Sequence, residues 1–287
     1  MGDCSVSNTS ACSVPTTATW NNTARTIPFG NFLATVFIDS SDTAYITDFS
    51  GNQVFKFLKH ATNATIIANA TEPTDVVVDT SGNVYIAQGS LPQILKLWTN
   101  GTLSIFTSVS GSGSYGLAID SGNNIYMSDY DANRVLKLSS TESGNGAVVA
   151  GGNGAGDSSN QLNFPINIAV DSSGSLYILD KDFSGNQRVQ KWLAGATTGT
   201  TLITGLTLPQ SLKVDCNNYL YITVGSNVLR FPPDSTNGIA VISGLNTPTS
   251  ISLDSEVNIN SQLSLKASFW LQIRIKDFTV SVDYLAK

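Results

Sequence analysis

Eighteen of the 21 acidic residues in this 287-residue chain are aspartates, and many stand at regular intervals. Asp39, Asp79, Asp120, Asp171, Asp215 and Asp254 each end a short, largely apolar segment, at spacings of 40, 41, 51, 44 and 39 residues. Six carboxylates at one repeat position could ring a common axis and hold a cation. An Asp directly before a Ser-Gly or Ser-Ser turn has a simpler use, accepting hydrogen bonds from the turn amides. Its recurrence in every copy assigns these six to the architecture.

A second acid nine residues on recurs as Asp48, Asp129 and Asp180, with Gln88 and Val224 in two other copies. Asp180-Lys181-Asp182-Phe183-Ser184-Gly185 reproduces the first half of a calcium loop, but Lys191 occupies the place of the bidentate Glu. It reads as a hairpin turn, and no metal or cofactor is expected. Gly151-Gly152-Asn153-Gly154-Ala155-Gly156 lacks the Gly-Lys-Ser ending and following helix of a phosphate loop and reads as a connection. With His60 as the single imidazole, a multi-histidine zinc site is impossible. Of three cysteines, Cys4 and Cys12 could pair in an oxidising compartment, leaving Cys216 alone.

The elements that position these residues follow from the same period. Copies of about 40 residues indicate a propeller or an array. A Tyr lies six residues after the Asp in five copies (Tyr45, Tyr85, Tyr126, Tyr177, Tyr221). A basic residue followed by a large apolar one closes the next strand at Lys56-Phe57, Lys96-Leu97, Lys137-Leu138, Lys191-Trp192 and Arg230-Phe231. Pro stands six residues before the Asp at Pro73, Pro165, Pro209 and Pro248, where a strand begins and a missing N–H does least harm. Each copy predicts four strands, such as 168–171, 175–180, 188–193 and 200–204 in the fourth. A four-stranded sheet cannot bury both faces alone, so the copies must stack around an axis. Aspartate in place of glutamate, 24 Gly and 41% hydrophobic residues agree with strands, turns and a sizeable core.

The segment FPINIAVDSSGSLYILDKDFSGNQRVQKW, Phe164 to Trp192, resembles an NHL repeat, as do Ser114 to Leu138 and, more faintly, three other copies. The resemblance implies an all-β, six-bladed β-propeller of the kind that usually serves as an interaction platform. Residues 1–18 then form an N-terminal extension and 19–287 the propeller, with repeats at about 33–70, 73–110, 114–150, 165–205, 209–244 and 248–287. Residues 19–30 resemble a repeat end and are expected to pair with the C-terminal blade, closing the ring. After Asp254 the pattern diverges: Asn260 replaces the Tyr and no Arg-Val-x-Lys strand follows.

A net charge of −6 with 13% charged residues makes nucleic acid a poor partner, and no apolar run is long enough to span a membrane. The reading adopted is a non-enzymatic scaffold, with an extracellular setting favoured, whose loops bind a peptide, protein or glycan. Asp48, Phe49, Asp129, Tyr130, Asp131, Asp180, Asp182 and Phe183 are expected to form an acidic, aromatic rim for that ligand. The alternative is a propeller enzyme of lyase or cation-dependent hydrolase type with an axial site, which needs an axial cluster that the sequence alone does not place.

Overall fold

The computed structural model describes residues 25–27, 33–59, 61, 63–91, 93–108, 114–139, 144, 146–181, 187–245, 248–253, 259–263, 271–275 and 278–279. The chain is all-β. Strand β1 (Arg25–Ile27) precedes the first blade, built from β2 (Leu33–Ile38), β3 (Ala44–Asp48), β4 (Gln53–Phe57) and β5 (Thr65–Asn69). The second blade holds β6 (Pro73–Val78), β7 (Val84–Gln88), β8 (Gln93–Leu97) and β9 (Leu103–Ser108). The third holds β10 (Ser114–Ile119), β11 (Ile125–Asp129), β12 (Arg134–Leu138) and β13 (Ala147–Gly151). The fourth holds β14 (Pro165–Val170), β15 (Leu176–Asp180), β16 (Arg188–Trp192) and β17 (Thr200–Thr204). The fifth holds β18 (Pro209–Val214), β19 (Leu220–Val224), β20 (Asn227–Phe231) and β21 (Ile239–Ile242).

Each blade is an antiparallel meander whose first turn is written into its residues. The repeat Asp accepts amide hydrogens two and four residues on, as Asp39 Oδ1 does from Ser41 at 2.8 Å and Thr43 at 2.9 Å. Three residues after it the backbone turns left-handed, at Asp42, Gly82, Asn123, Gly174 and Asn218. These are residue types that tolerate positive φ. The repeat Tyr donates its hydroxyl back to the same carboxylate, at 3.2 Å in Tyr45–Asp39, 3.2 Å in Tyr85–Asp79 and 3.0 Å in Tyr126–Asp120. Directly across the next strand stands the basic residue, Lys56 opposite Tyr45 and Lys191 opposite Tyr177. The cation therefore lies over the ring, at 5.5 and 5.3 Å from the centroids. Asp, Tyr and Lys thus form one cross-strand stack that the period already implied.

Among the described residues five four-stranded blades are complete, not the six expected. The sixth sector holds a two-stranded sheet, β22 (Pro248–Leu253) with β23 (Ile259–Leu263), and a separate three-stranded sheet in which β24 (Leu271–Ile275) lies between β1 and β25 (Phe278–Thr279). The physical reason is the missing stack: Asn260 pairs with Ser252 where the other blades carry the Tyr. The ring nevertheless closes. Inner strands β2, β6, β10, β14, β18 and β22 pack in sequence, and β22 packs back on β2. Ser250 Oγ accepts the Val36 amide at 3.3 Å, and Ser252 Oγ accepts that of Ile38 at 3.1 Å. The N-terminal segment reaches the C-terminal one, with Thr26 opposite Gln272 and Ile27 opposite Leu271.

The core lies between blades, where apolar residues of adjoining sheets interleave, as Phe37 and Tyr45 of the first do with Val76, Val77 and Tyr85 of the second. Blades three and four approach closely at Gly116. A Cβ on Gly116 would sit 2.9 Å from Asn167 Cα and 3.0 Å from the Ile166 carbonyl oxygen, both backbone atoms. Gly116→Ala is therefore expected to force the two inner strands apart and cost about 1 to 3 kcal/mol. Urea denaturation measures it, and an unchanged midpoint would show that the interface yields freely.

Candidate functional site

An inner strand exposes amide hydrogens on the edge away from its own sheet, and a buried donor must find an acceptor. The sequence supplies one at the position four before each repeat Asp: Thr35, Asp75, Gly116, Asn167, Ser211 and Ser250. Each polar member bonds to the next blade. Asp75 Oδ2 accepts the Leu117 amide at 2.8 Å, Asn167 Oδ1 that of Leu212 at 3.0 Å, and Ser211 Oγ that of Ile251 at 3.3 Å. Ser250 serves Val36 and shares a hydrogen with Thr35 Oγ1 at 2.9 Å, and the Thr35 side chain bonds to Asp75. At Gly116 the missing side chain permits the close approach of the backbones. A polar ring of neutral groups thus lines the axial ends of the blades, with a single carboxylate in it.

That carboxylate is 2% exposed. Burial pushes the Asp75 carboxyl up, while the charge of Lys213, the Leu117 and Val76 amides and the Thr35 hydroxyl pull it down. Lys213 lies on β18, two residues beyond Ser211 in the fifth blade. In the ring order of inner strands, blades two and five are opposite, so the Asp75–Lys213 interaction spans the axis. Sequence reasoning missed both residues. The offset of four from the repeat Asp was the available signal, since it isolates one charged residue among Thr, Gly, Asn and Ser.

The acids expected to form an exposed rim are placed differently. Asp48, Asp129 and Asp180 end the second strands but are only 3%, 1% and 1% exposed. Asp48 accepts the Gly51 amide at 2.7 Å, and Asp129 pairs with Arg134 at 2.8 Å. Asp180 pairs with Arg188 at 2.9 Å and accepts the Asn163 amide at 2.7 Å. They are corrected to turn and loop anchors, because each faces unpaired turn donors that water cannot reach. Phe49, Tyr130 and Asp131 remain partly exposed, with the Tyr130 ring 5.8 Å from that of Phe164. Asp182, Phe183, Asp254, His60 and the Cys4–Cys12 pairing lie outside the described residues. Cys216 is itself disulfide-bonded. The other repeat aspartates, Asp39, Asp79, Asp120, Asp171 and Asp215, hold turns as described.

Residues 162–192 match the NHL repeat family. The chain is a β-propeller that carries an NHL repeat. No curated protein matches its sequence. In shape this NHL propeller is similar to a gluconolactonase of Xanthomonas campestris, with a TM-score of 0.67 at 13% identity over 85% of this chain and 86% of that one. It is also similar to virginiamycin B lyase of Staphylococcus aureus, with a TM-score of 0.60 at 10% identity over 88% and 83% of the two chains. A catalytically inactive His-to-Ala form of that lyase with quinupristin gives 0.60 at 11% identity, over 89% of each chain. At these identities the likeness carries the fold. It also corrects the expectation of a non-enzymatic scaffold, because the similar structures are those of a gluconolactonase and a lyase. Among the described residues no group of three His, Cys, Asp or Glu side chains is placed to hold a metal, and no helix is long and apolar enough to cross a membrane.

Proposed function

We propose that this NHL propeller is an enzyme of lyase or hydrolase type that works at its axis, with Asp75 as the proton acceptor and Lys213 as the cation facing the reacting carbonyl. The observation that carries the reading is the one buried carboxylate of the polar ring, which feels the charge of Lys213 from the opposite blade, in a fold similar to that of a gluconolactonase and a virginiamycin B lyase. The cation-dependent branch does not fit the donor set. Asp75 is the one carboxylate of the polar ring, both its oxygens accept backbone amides, and Asn167 Oδ1 is already engaged. Histidine chemistry would have to come from His60, the sole imidazole.

A carboxylate raised by burial is a stronger base than one in water. Taking a proton from a carbon beside a carbonyl, or from a water attacking it, leaves negative charge on the carbonyl oxygen. An ammonium group held across the axis stabilises that charge as it develops. Burial of Asp75 at rest makes access a costly step.

Gluconolactone and quinupristin are the probes. Turnover of one of them is expected, with Asp75→Asn lowering kcat by about 10²- to 10⁴-fold and Lys213→Met also lowering it. The Asn variant keeps one of the two acceptors, so its melting should fall less than that of Asp75→Ala. The parent's kcat/KM should rise with pH through a carboxyl titration displaced above the ordinary value near 4. A parent inert toward both probes, or an Asp75→Asn enzyme as active as the parent, would overturn the assignment.

A further inference from the structure

Three Asn-x-Thr triplets lie among the described residues, and the asparagine and threonine of all three are exposed: Asn63 with Thr65, Asn69 with Thr71, and Asn100 with Thr102. We propose that Asn63, Asn69 and Asn100 carry N-linked glycans, with the Trp98 ring as the platform beneath the first sugar on Asn100. The inference is independent of the axial chemistry.

Two placements support it. First, the triplets adjoin exposed apolar side chains on two outer strands, whereas β13 and β21 expose Val148 and Ile239 without one. Asn63 and Asn69 flank and end β5, and Asn100 lies in the turn before β9, the outermost strands of the first two blades. Those strands are unpaired edges, and they carry Ile66, Leu103 and Ile105 in exposed positions, with Ile105 61% exposed. No such triplet follows Asn100 in the chain. A glycan on each edge would cover apolar side chains and block strand addition by a second chain.

Second, the turn at Asn100, of a kind that recurs after the third strand of other blades, here sets an exposed aromatic ring beside the triplet. Gly101 N–H donates to the Trp98 carbonyl, Trp98 N–H to that of Thr102, and Thr102 N–H to Asn100 Oδ1 at 2.9 Å. This brings Trp98, Asn100 and Thr102 together on one tight turn, with Gly101 left-handed at φ 84°. Lys96 Nζ covers the Trp98 ring at 3.8 Å from its centroid, while 42% of the residue stays exposed. That surface suits the C–H face of a hexose. The disulfide at Cys216 belongs to the same oxidising setting in which such asparagines are modified.

The step joins the asparagine Nδ2 to the anomeric carbon of a polyprenyl-diphosphate-linked oligosaccharide. The C1–O bond to the diphosphate breaks, the lipid diphosphate leaves with the electron pair, and one amide proton passes to base.

The test is peptide mapping of the full chain isolated from its native host, before and after peptide N-glycosidase. All three asparagines should be converted to aspartate on release. Finding them unmodified would overturn the proposal. Enzymatic release should also lower the melting temperature of the parent and of Trp98→Phe by more than that of Trp98→Ala. Equal responses from the Phe and Ala variants would remove the platform role of Trp98.

Discussion

Arg188→Met is expected to cost about 3 to 5 kcal/mol of stability in mildly alkaline buffer and to loosen the loop between blades three and four. The guanidinium is buried, with its Nε on Asp180 at 2.9 Å. Its other nitrogens donate to the carbonyls of Asp157 at 2.7 Å, Gln161 at 3.1 Å and Gly156 at 3.2 Å. One side chain therefore neutralises a carboxylate and ties down loop 152–164 through three of its carbonyls. Methionine fills the volume and satisfies none of these groups. Arg188→Lys should recover only part of the loss, because an ammonium cannot address the carboxylate and three carbonyls in one plane.

The penalty should depend on pH. Burial lifts the Asp180 carboxyl to about 6, against the pull of the Asn163 amide and Arg188. In the unfolded chain it returns to about 3.9. The native state thus holds an extra proton between these values, so this group adds stability as pH falls through about 6 and loses it as pH rises. Removing the guanidinium raises the carboxyl further, which makes the variant's deficit largest in alkali and smaller near pH 5, where Asp180 is neutral. Urea denaturation at both ends of the range measures this. A deficit independent of pH would mean that the loop carbonyls, not Asp180, dominate.

Asp171→Ala is expected to lower stability by about 1 to 3 kcal/mol. Its Oδ1 accepts the amides of Ser173 and Ser175 at 2.9 Å each and the Ser173 hydroxyl at 2.6 Å, and its Oδ2 accepts Tyr177 O–H at 3.4 Å. Alanine strands the buried Ser175 amide and the Tyr177 hydroxyl inside the fourth blade. Asp171→Asn keeps one acceptor and should lose less. Because the carboxylate holds a turn, neither variant should change the activity proposed for the axis except through unfolding. A variant that melts like the parent yet loses activity would move Asp171 from the turn to the site.

What the residues alone determined about this protein is its period and everything local to a blade. Asp, left-handed turn, Tyr and Lys recur within about 20 positions, and their contacts run between neighbouring strands of one sheet. The pairing of Arg25–Ile27 with the C-terminal region was legible for the same reason, as part of a repeat end displaced to the other terminus. The tertiary structure decided which carboxylates are used where. Asp48, Asp129 and Asp180 look like surface turn residues by position, and only the fold shows that arginine and turn amides enclose them. The axial ring was hidden because its bonds join different blades: Asp75 to Leu117, Asn167 to Leu212 and Ser250 to Val36. A repeat fixes the position of each group within its own blade. Closure of the ring brings Asp75 opposite Lys213, 138 positions along the chain (213 − 75), and no period in the sequence encodes that meeting.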